Sequence, residues 1–424
     1  MQNKKKMFPY KLMAFVNLAL ASIFYLYEFF LRVTPGVLSY EIMHDLKINA
    51  TVLGVISSCF YYGYIPMQIP AGILCDKYGP KKILTIAIGA CSISTIIFAY
   101  SNSIAVSSVS RVIMGICSSV ALIAPLAIAT NWYDRKYFSF ITGLIQFLGC
   151  VGAISAGTPI AMLTKFIPWQ ETIIWSGVIG ILITLLLIIV VKDSPYSKTK
   201  TQVKYQNKDM VIANLKIILQ NTQNWYTAII AMACWAPIAI FSELWGVPFL
   251  MDMQKIDNTA AASEAAIVWY GIAIGSPLFG WLSNKIKSRK TPIIVCSIIG
   301  VISSTILIYV DTQSNIFIEI LLFCFGLAAS SQPITFGLIL DNNPKELIGT
   351  AIGFNNMAVI SGALLQAFSG YIISLYWTGA FANDAPLYGI YEFRHAFILI
   401  PVISGCGLIT TIFLLKETAC NKKY

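Results

Sequence analysis

Glu28 and Arg32 are the residues whose type and spacing most clearly indicate chemistry in this sequence. They are four positions apart inside the apolar run 12–33. An ionised carboxylate deep in such a run costs at least ~2.5 kcal/mol when the run enters a membrane, so it normally faces an aqueous cavity or a partner charge. Two hypotheses follow. Glu28 takes up a proton on one side of a membrane and releases it on the other, or Glu28 and Arg32 form only a local ion pair one helical turn apart.

Arg111 and Glu243 are two further charges inside apolar runs. The Arg111 guanidinium could clamp a carboxylate through two parallel hydrogen bonds, or it could pair with Glu28 for structural reasons alone. Glu243 is followed within five residues by a Gly and a Pro. That composition is typical of a broken helix that lines a binding site.

Aromatic and amide side chains accompany these charges. An aromatic residue in an apolar run is either an anchor at the membrane interface or a ligand contact, and an amide either bonds a neighbouring helix or faces a cavity. The candidates are Tyr25, Tyr27, Tyr61, Tyr62, Gln68, Gln146, Trp235, Trp269, Tyr270, Gln332, Asn355, Asn356 and Gln366. Of these, we predict substrate or proton binding by Tyr62, Gln146, Tyr270, Asn355 and Asn356, together with the four charged residues.

The elements that position these residues must be membrane helices. Of the 424 residues, 57% are hydrophobic and 11% are charged, whereas about 25% are charged in an ordinary soluble protein. This composition excludes a water-soluble enzyme, a disordered chain and a nucleic-acid-binding protein. The ten Cys form no CxxC pair and there are two His, so we expect neither a disulfide framework nor a metal site.

Twelve apolar runs are long enough to cross a membrane, which takes roughly 20 residues. They are 12–33, 51–74, 83–100, 105–131, 138–164, 169–191, 225–250, 262–282, 291–310, 316–340, 348–376 and 396–415. The sequence therefore predicts an all-α integral membrane protein. A polar, Lys-rich linker at 192–224 divides it into an N-terminal bundle, 1–191, and a C-terminal bundle, 225–424, of six helices each.

The Lys and Arg residues predict the orientation. If the N-terminus is cytoplasmic, 23 of the 29 fall in cytoplasmic segments, four fall on the opposite side and two lie within the runs. Cytoplasmic loops of membrane proteins carry such an excess of positive charge. We therefore expect both termini in the cytoplasm, and the net charge of +10 reflects topology and not a polyanionic partner.

The two halves of the chain repeat each other. Tyr62-Gly63 and the basic loop at 72–82 match Tyr270-Gly271 and the loop at 280–290 at a constant spacing of 208 residues. A weaker repeat with a spacing of 210 relates residues 143, 146 and 152 to residues 353, 356 and 362. Repeated halves are typical of secondary transporters that alternate access around a central site.

Two motifs resemble a known family. GILCDKYGPKK at 72–82 resembles the signature that the major facilitator superfamily carries between its second and third helices, and RVIMG at 111–115 resembles its fourth-helix Arg-x-x-x-Gly motif. The resemblance covers essentially the whole chain and implies two pseudo-symmetric six-helix bundles. YEFFLRVTPGV and ELWGVPFL are similar to segments of bacterial organic anion/cation symporters and sugar-phosphate permeases.

The resemblance also implies a gate in the first basic loop, a charge relay that locks the halves in the outward-facing state. Its residues are Gly72, Asp76, Lys77, Gly79, Lys81 and Lys82. This chain departs from the pattern with Pro80, and the second copy carries Asn284 for the Asp and Lys287 for the Gly. We therefore expect the first loop to be the stronger gate.

These features predict a secondary active transporter, coupled to protons, for a carboxylate, an amino acid or a short peptide. Arg111, helped by Arg32, would hold a carboxylate while Glu28 carries the proton, and Glu28 or Glu243 would meet an amine. The expected partners are this solute, protons and the lipid bilayer, with no cofactor and no nucleic acid. The chain is expected to act as a monomer in a bacterial-type inner membrane.

Two alternatives stay open. Within transport, the alternative is an organophosphate/phosphate antiporter. Outside transport, it is an integral membrane enzyme, which would need clustered His, Asp or Glu that this sequence does not supply.

Asp76→Asn tests the gate. The substitution removes the charge that the relay needs and keeps the size of the side chain, so we expect slower transport with unchanged membrane insertion. Initial uptake rates, normalised to the amount of protein in the membrane, measure the effect. Uptake at the wild-type rate would contradict a gating role for Asp76.

Overall fold

The computed structural model describes residues 2–133, 138–192, 215–310, 314–344, 347–382 and 385–418. These residues are almost entirely helical. Eleven helices are long and apolar enough to cross a membrane, and the pair Ala50–Tyr64 and Gln68–Cys75, bent by 42°, supplies a twelfth crossing. The prediction of an all-α membrane protein with twelve spans is confirmed.

We number the spans 1 to 12 in chain order. Five are single helices: span 1, Gln2–Val37; span 3, Pro80–Ala99; span 6, Trp169–Val190; span 8, Asn258–Ile286; and span 9, Lys290–Tyr309. Four more consist of α-helical pieces: span 2, Ala50–Tyr64 and Gln68–Tyr78; span 4, Ile104–Ser118 and Ile123–Trp132; span 5, Phe138–Ser155 and Thr158–Leu163; and span 10, Asn315–Ala329 and Gln332–Asp341.

The remaining three spans include a turn of another helix type. Span 7 is Thr222–Ile240, a π-helical turn Phe241–Trp245, and Gly246–Gln254; span 11 is Ile348–Ser361, a 3₁₀ turn Gly362–Leu364, and Leu365–Leu375; span 12 is Ile390–Phe397, Leu399–Ile409 and a π-helical turn Thr410–Leu414. Span 12 begins six residues before the predicted run at 396, because the helix continues into a more polar first turn that the hydropathy pattern excludes.

Short elements cover one end of the spans. The helix Ser39–Leu46 follows span 1, and the strands Phe381–Ala382 and Ala385–Pro386 pair antiparallel between spans 11 and 12. We call this the distal end. The opposite end, which carries loop 78–80 and residues 415–418, is the terminal end. The linker predicted at 192–224 lies mostly outside the described residues, so the division into bundles at that linker stays a prediction.

The six-span halves pack in the same way. In the first half, span 1 packs against span 5, span 2 against span 4, and span 3 against spans 4 and 6. In the second half, span 7 packs against span 11, span 8 against span 10, and span 9 against spans 10 and 12. Each pair becomes its counterpart when six is added to the span numbers. The halves meet mainly where span 2 packs on span 11, span 1 on span 7 and span 5 on span 8.

Glycines explain the repeat in the sequence. A Cβ at Gly63 would lie 2.2 Å from the Val112 carbonyl oxygen, and one at Gly271 would lie 2.4 Å from the Phe323 carbonyl oxygen. These are the crossings of spans 2 and 4 and of spans 8 and 10. The weaker repeat marks a second pair of crossings: Gly152 of span 5 packs against span 1, and Gly362 of span 11 packs against span 7. The repeated glycines at these four positions are therefore points where only a residue without a side chain lets the helices approach, whereas a Cβ at the repeated pair Gly72 and Gly280 would meet no described atom within 4 Å.

Gly115→Ala tests this packing. A Cβ there would lie 1.8 Å from the Phe60 carbonyl oxygen. The backbones of spans 2 and 4 would therefore have to move apart. Overpacking of this kind costs about 1–3 kcal/mol, so we expect a lower apparent Tm in detergent.

Gly405→Ala is the matched control, because a Cβ at Gly405 meets no atom within 4 Å. Alanine is a better helix former than glycine by about 1 kcal/mol, so this variant should keep or raise the Tm. Equal thermal shifts for the two variants would contradict the packing role of Gly115.

Candidate functional site

Arg32 stands between two buried carboxylates at the centre of the molecule. Its guanidinium contacts Glu28 Oε1 on its own helix, and its Nη1 atom lies 4.0 Å from Glu243 Oε1 on span 7. Tyr61 of span 2 donates a hydrogen bond to Glu243 Oε2. The three charged side chains are at most 2% exposed. The local ion pair anticipated between Glu28 and Arg32 is therefore present, and Glu243 extends it across the two halves of the chain.

Aromatic rings surround the Arg32 guanidinium. Its central carbon lies 4.7 Å from the centroid of the Phe29 ring and 5.1 Å from that of Tyr64. The rings of Tyr61 and Phe60 follow at 5.7 and 5.9 Å. Cation–π attraction is strongest for a desolvated cation. The rings thus stabilise the arginine in a place where water does not reach it.

Local sequence explains how span 7 presents Glu243. Pro237 lies inside the helix, where it removes a hydrogen-bond donor and its ring crowds the preceding turn. The π-helical turn that contains Glu243 begins four residues later. A Cβ at Gly246 would lie 2.8 Å from the Phe241 carbonyl oxygen, so glycine permits the turn to close. π-Helical turns occur frequently at functional sites, and the interruption expected around Glu243 is observed.

A cavity lies beside this network, between the two halves. In this structure it is narrow, with room for about one or two water-sized molecules. Its lining residues are Tyr25, Phe29, Arg32, Tyr64, Leu122, Gln146, Trp235, Gln332, Asn356, Val359 and Ile360. Arg32 is the one charged residue among them, and the rest are amides, aromatic rings and aliphatic side chains.

The amides of the cavity wall belong to both halves. Tyr25 Oη donates to Gln146 Oε1 at 3.0 Å, and Asn356 Nδ2 donates to Gln68 Oε1 at 2.6 Å. The second bond joins span 11 to span 2. Gln146 and Asn356, both predicted to bind substrate, therefore lie at the cavity, and each retains polar groups that could bond a solute.

Several buried polar atoms around the cavity have no hydrogen-bond partner in the described part of the chain. They are both carboxylate oxygens of Glu28, Arg32 Nε, Glu243 Oε1 and Gln68 Nε2. The Glu28–Arg32 pair is thus a close contact of charges without the alignment of a hydrogen bond. An unpartnered buried polar group costs about 1–3 kcal/mol, which makes this region suited to a polar ligand, a proton or water.

Arg111 does not pair with Glu28, the partner that the sequence suggested. Its Nη1 and Nη2 atoms donate to the backbone carbonyls of Leu31 at 2.9 Å and Ser57 at 3.5 Å, and its guanidinium lies 4.9 Å from the Phe60 ring. It faces a second, mainly apolar cavity inside the first half, apart from the one that Arg32 lines. Arg111 therefore ties spans 1, 2 and 4 together in this structure.

The structure separates three other predicted residues from the cavity. Tyr62 and Tyr270 are 50% and 49% exposed on the outer surface of the helices. Asn355 is buried, and its Nδ2 donates to Thr335 Oγ1 at 3.0 Å. Sequence reasoning also missed Tyr64, although it shares one face of span 2 with Tyr61 and Gln68 by helical spacing.

The halves are joined at the distal end. The amide N–H of Ala50 donates to Tyr388 Oη at 3.0 Å, and that of Thr51 donates to Ser374 Oγ at 3.0 Å. Lys165 pairs with Asp257 at 2.7 Å across the halves, and this hydrogen bond lowers the pKa of Asp257. The cavity is therefore covered on its distal side.

The terminal end differs. A Cβ at Gly72 or at Gly280 would meet no atom of the described residues within 4 Å, so no described helix packs closely against these positions. The predicted gate residues lie in this region. Lys81 Nζ donates to the Ile188 carbonyl at 2.8 Å, and Lys77 and Lys82 lie over the Tyr78 ring. The Asp76 side chain lies outside the described residues.

The two basic loops both turn through a residue with positive φ, but their backbones differ there. Gly79 has φ 89° and ψ 139°, whereas its counterpart Lys287 has φ 51° and ψ 39°, the left-handed helical conformation. In the second loop, Arg289 Nη1 donates to Asn284 Oδ1 at 3.0 Å and Arg289 Nε pairs with Asp341 at 3.2 Å. Asp341 of span 10 thus contributes the carboxylate that position 284 lacks.

No group of three or more His, Cys, Asp or Glu that could hold a metal occurs among the residues that the structure describes. The nine cysteines of that part of the chain are free. The polar groups around Arg32 are therefore the candidate functional site.

Comparisons with known proteins agree with this architecture. A family model described as Major Facilitator Superfamily matches residues 18–367. The probable sulfoacetate transporter SauU of Cupriavidus necator is 22% identical over 94% of this chain and 93% of its own length. The probable galactarate/D-glucarate transporter GudP of Escherichia coli K12 is 22% identical, with 84% of this chain and 86% of that protein covered.

A solved structure has the same fold. The crystal structure of a bacterial homolog of the human lysosomal transporter Spinster, in an inward-facing and unoccupied conformation, has a TM-score of 0.76 at 16% identity, with 94% of this chain and 97% of that chain covered. The helical architecture, the paired halves and the family match lead to one assignment: this chain belongs to the major facilitator superfamily of membrane transporters.

Proposed function

We propose that this transporter carries a small organic anion, a carboxylate in particular, together with protons. The observation that carries the proposal is the position of Arg32. Among the described residues that form the wall of the central cavity, it is the one with a charged side chain, and two carboxylates already face it. A guanidinium presents a planar fork of N–H donors that matches a carboxylate.

The coupling to protons follows from the balance of buried charge. The buried charges of this region, in the described residues, are the cations Arg32 and Arg111, of which Arg111 lies at the second cavity, and the carboxylates Glu28 and Glu243. A bound anion adds a further negative charge in a medium where unbalanced charge is costly. A proton taken up by one carboxylate restores the balance and frees a face of Arg32 for the anion. Anion and proton then bind together.

The relatives support the chemical class. SauU and GudP are named as probable transporters of sulfoacetate and of galactarate/D-glucarate, and all of these solutes are organic anions. The amides and tyrosines beside Arg32 suit a solute that also carries hydroxyl groups. Transport, and no enzymatic step, is the function we assign.

Sidedness follows from the distribution of Lys and Arg. We assign the terminal end to the cytoplasm, in an inner membrane of bacterial type, because 23 of the 29 basic residues fall in the sequence segments predicted to be cytoplasmic. We propose a monomer, in which both halves of one chain contribute to the cavity wall. Residues 1–191 and 225–424 are the bodies that rock about the cavity, and the loop at Asp76 is the gate that joins them on the cytoplasmic side.

Arg32→Lys tests the anion site. Lysine keeps the buried charge that balances Glu28 and Glu243, so the protein should fold, but its ammonium cannot hold both oxygens of a carboxylate in one plane. Loss of one charge-assisted hydrogen bond, about 1.5–3 kcal/mol, raises KM at least about tenfold. Uptake by proteoliposomes with an alkaline lumen measures this, using sugar acids, sulfonates and hexuronates as test anions.

Two controls accompany this variant. Lys216→Ala removes an exposed positive charge far from the cavity and should transport as wild type. Arg111→Ala should lower the Tm of the empty protein, because its hydrogen bonds join three spans. An unchanged KM in Arg32→Lys, with a raised KM in a folded Arg111 variant, would move the anion site to Arg111.

A phosphate-exchange assay distinguishes the proposed function from the alternative, an organophosphate/phosphate antiporter. A proton-coupled carrier needs no internal phosphate, whereas an organophosphate antiporter is stimulated by it. We expect uptake into phosphate-free liposomes under a pH gradient. Uptake that requires internal phosphate and ignores the pH gradient would favour the antiporter.

A further inference from the structure

The partners of Glu28 and Glu243 differ in one respect. Glu28 contacts Arg32 of its own helix, one turn away. Glu243 belongs to the second half, and its partners Arg32 and Tyr61 belong to the first. Its backbone is held across the same boundary, because a Cβ at Gly36 of span 1 would lie 2.8 Å from the Glu243 carbonyl oxygen.

Rocking of the halves therefore affects the two carboxylates differently. A rigid-body rotation keeps the Glu28–Arg32 pair, since both residues are in span 1. The same rotation, when it opens the distal end, separates Glu243 from Arg32 and from Tyr61. Only a group whose surroundings change between two states can bias the equilibrium between them.

The groups that face Glu243 come from each element packed around it. Span 1 presents Arg32 and, beyond it, Glu28; span 2 presents Tyr61; and span 4 presents the charge of Arg111. Span 11 presents the neutral Gln366, whose Nε2 lies 3.4 Å from Glu243 Oε2. The nearest positive charge is on Arg32, so the electrostatic attraction that holds Glu243 at the distal boundary comes chiefly from the residue proposed to bind the anion.

From this geometry we infer that Glu243 is the interlock of the transport cycle: the distal end closes over an empty site when Glu243 is ionised, and over a bound anion only when Glu243 carries a proton. The inference rests on the proposed anion–proton function for its second part. When an anion is bound to Arg32, closure of the distal end would bring an ionised Glu243 back to a guanidinium whose charge the anion already neutralises. Protonation removes that repulsion and leaves Glu243 able to hydrogen-bond.

The proton is conserved through the cycle. It comes from the distal side when the distal end is open and binds the Glu243 carboxylate. It leaves towards the terminal side when the anion departs and Arg32 pairs with Glu243 again. Closure with the anion alone is disfavoured by charge, which prevents uncoupled leakage.

Hydrogen–deuterium exchange of the empty protein tests the first part without any substrate. Two amides bond across the halves at the distal end, Ala50 to Tyr388 and Thr51 to Ser374, and a third, Ala367 to Ser58, does so deeper along spans 2 and 11. In Glu243→Gln the attraction to Arg32 is lost, so exchange in peptides that contain these amides should rise at least threefold. In Glu28→Gln, which removes an equal charge from the same arginine within one half, exchange there should stay at the wild-type rate.

A rise in Glu28→Gln with none in Glu243→Gln would overturn the inference, and so would equal exchange in all three proteins. Global destabilisation is separated from opening by peptides of spans 3 and 6, which pack within one half and should exchange alike in every variant. A rise there as large as at the distal end would also overturn it.

A transport assay distinguishes a failure of the interlock from a failure of the proposed anion–proton function. In proteoliposomes, Glu243→Gln should exchange a transported sugar acid across the membrane but fail to concentrate it under a pH gradient, whereas Glu171→Gln, at an exposed carboxylate of span 6, should behave as wild type. Gradient-driven accumulation by Glu243→Gln would overturn the coupling. If wild type moves no anion while the exchange pattern holds, the interlock stands and the anion–proton function fails.

Discussion

The structure depends on a single cation that two carboxylates share. One carboxylate lies on the same helix as the cation, and the other belongs to the opposite half of the chain. Arg32 holds Glu28 within one helix and meets Glu243 across the boundary between the halves, with aromatic rings excluding water around it. Burying one charge without a partner is costly. The cavity, the distal contacts and the break in span 7 lie around this group of charges, and in the proposed function its balance changes when the halves move or an anion enters.

Glycine crossings keep each half rigid enough for this balance to matter. Gly63, Gly115, Gly271 and Gly326 bring helix backbones into direct contact within a half. Glycines also allow close approach between the halves: a Cβ at Gly36, Gly54 or Gly370 would lie 2.8, 2.6 or 2.4 Å from a backbone oxygen of the other half. Glu243, Tyr61 and the cavity lie at this boundary.

Much of this could be predicted from the sequence. Hydropathy predicts the spans, because crossing a bilayer requires an apolar run, and the Glu28–Arg32 pair follows from helical spacing. The partner of Glu243, by contrast, is 182 residues away at Tyr61, and no local pattern indicates such a pair. Tyr62 and Tyr270 matched in the repeat because the glycines beside them mark helix crossings, while their own rings face outward. Arg111 satisfies backbone carbonyls, a role that side-chain chemistry alone does not reveal.

The central claim is that anion and proton move together through the site around Arg32. Proteoliposomes that contain a pH-sensitive dye, without an imposed gradient, test it most directly. Adding a transported organic anion outside should acidify the lumen, with at least one proton entering for each anion, and a protonophore should abolish the signal. Anion uptake without any change of internal pH would contradict the account.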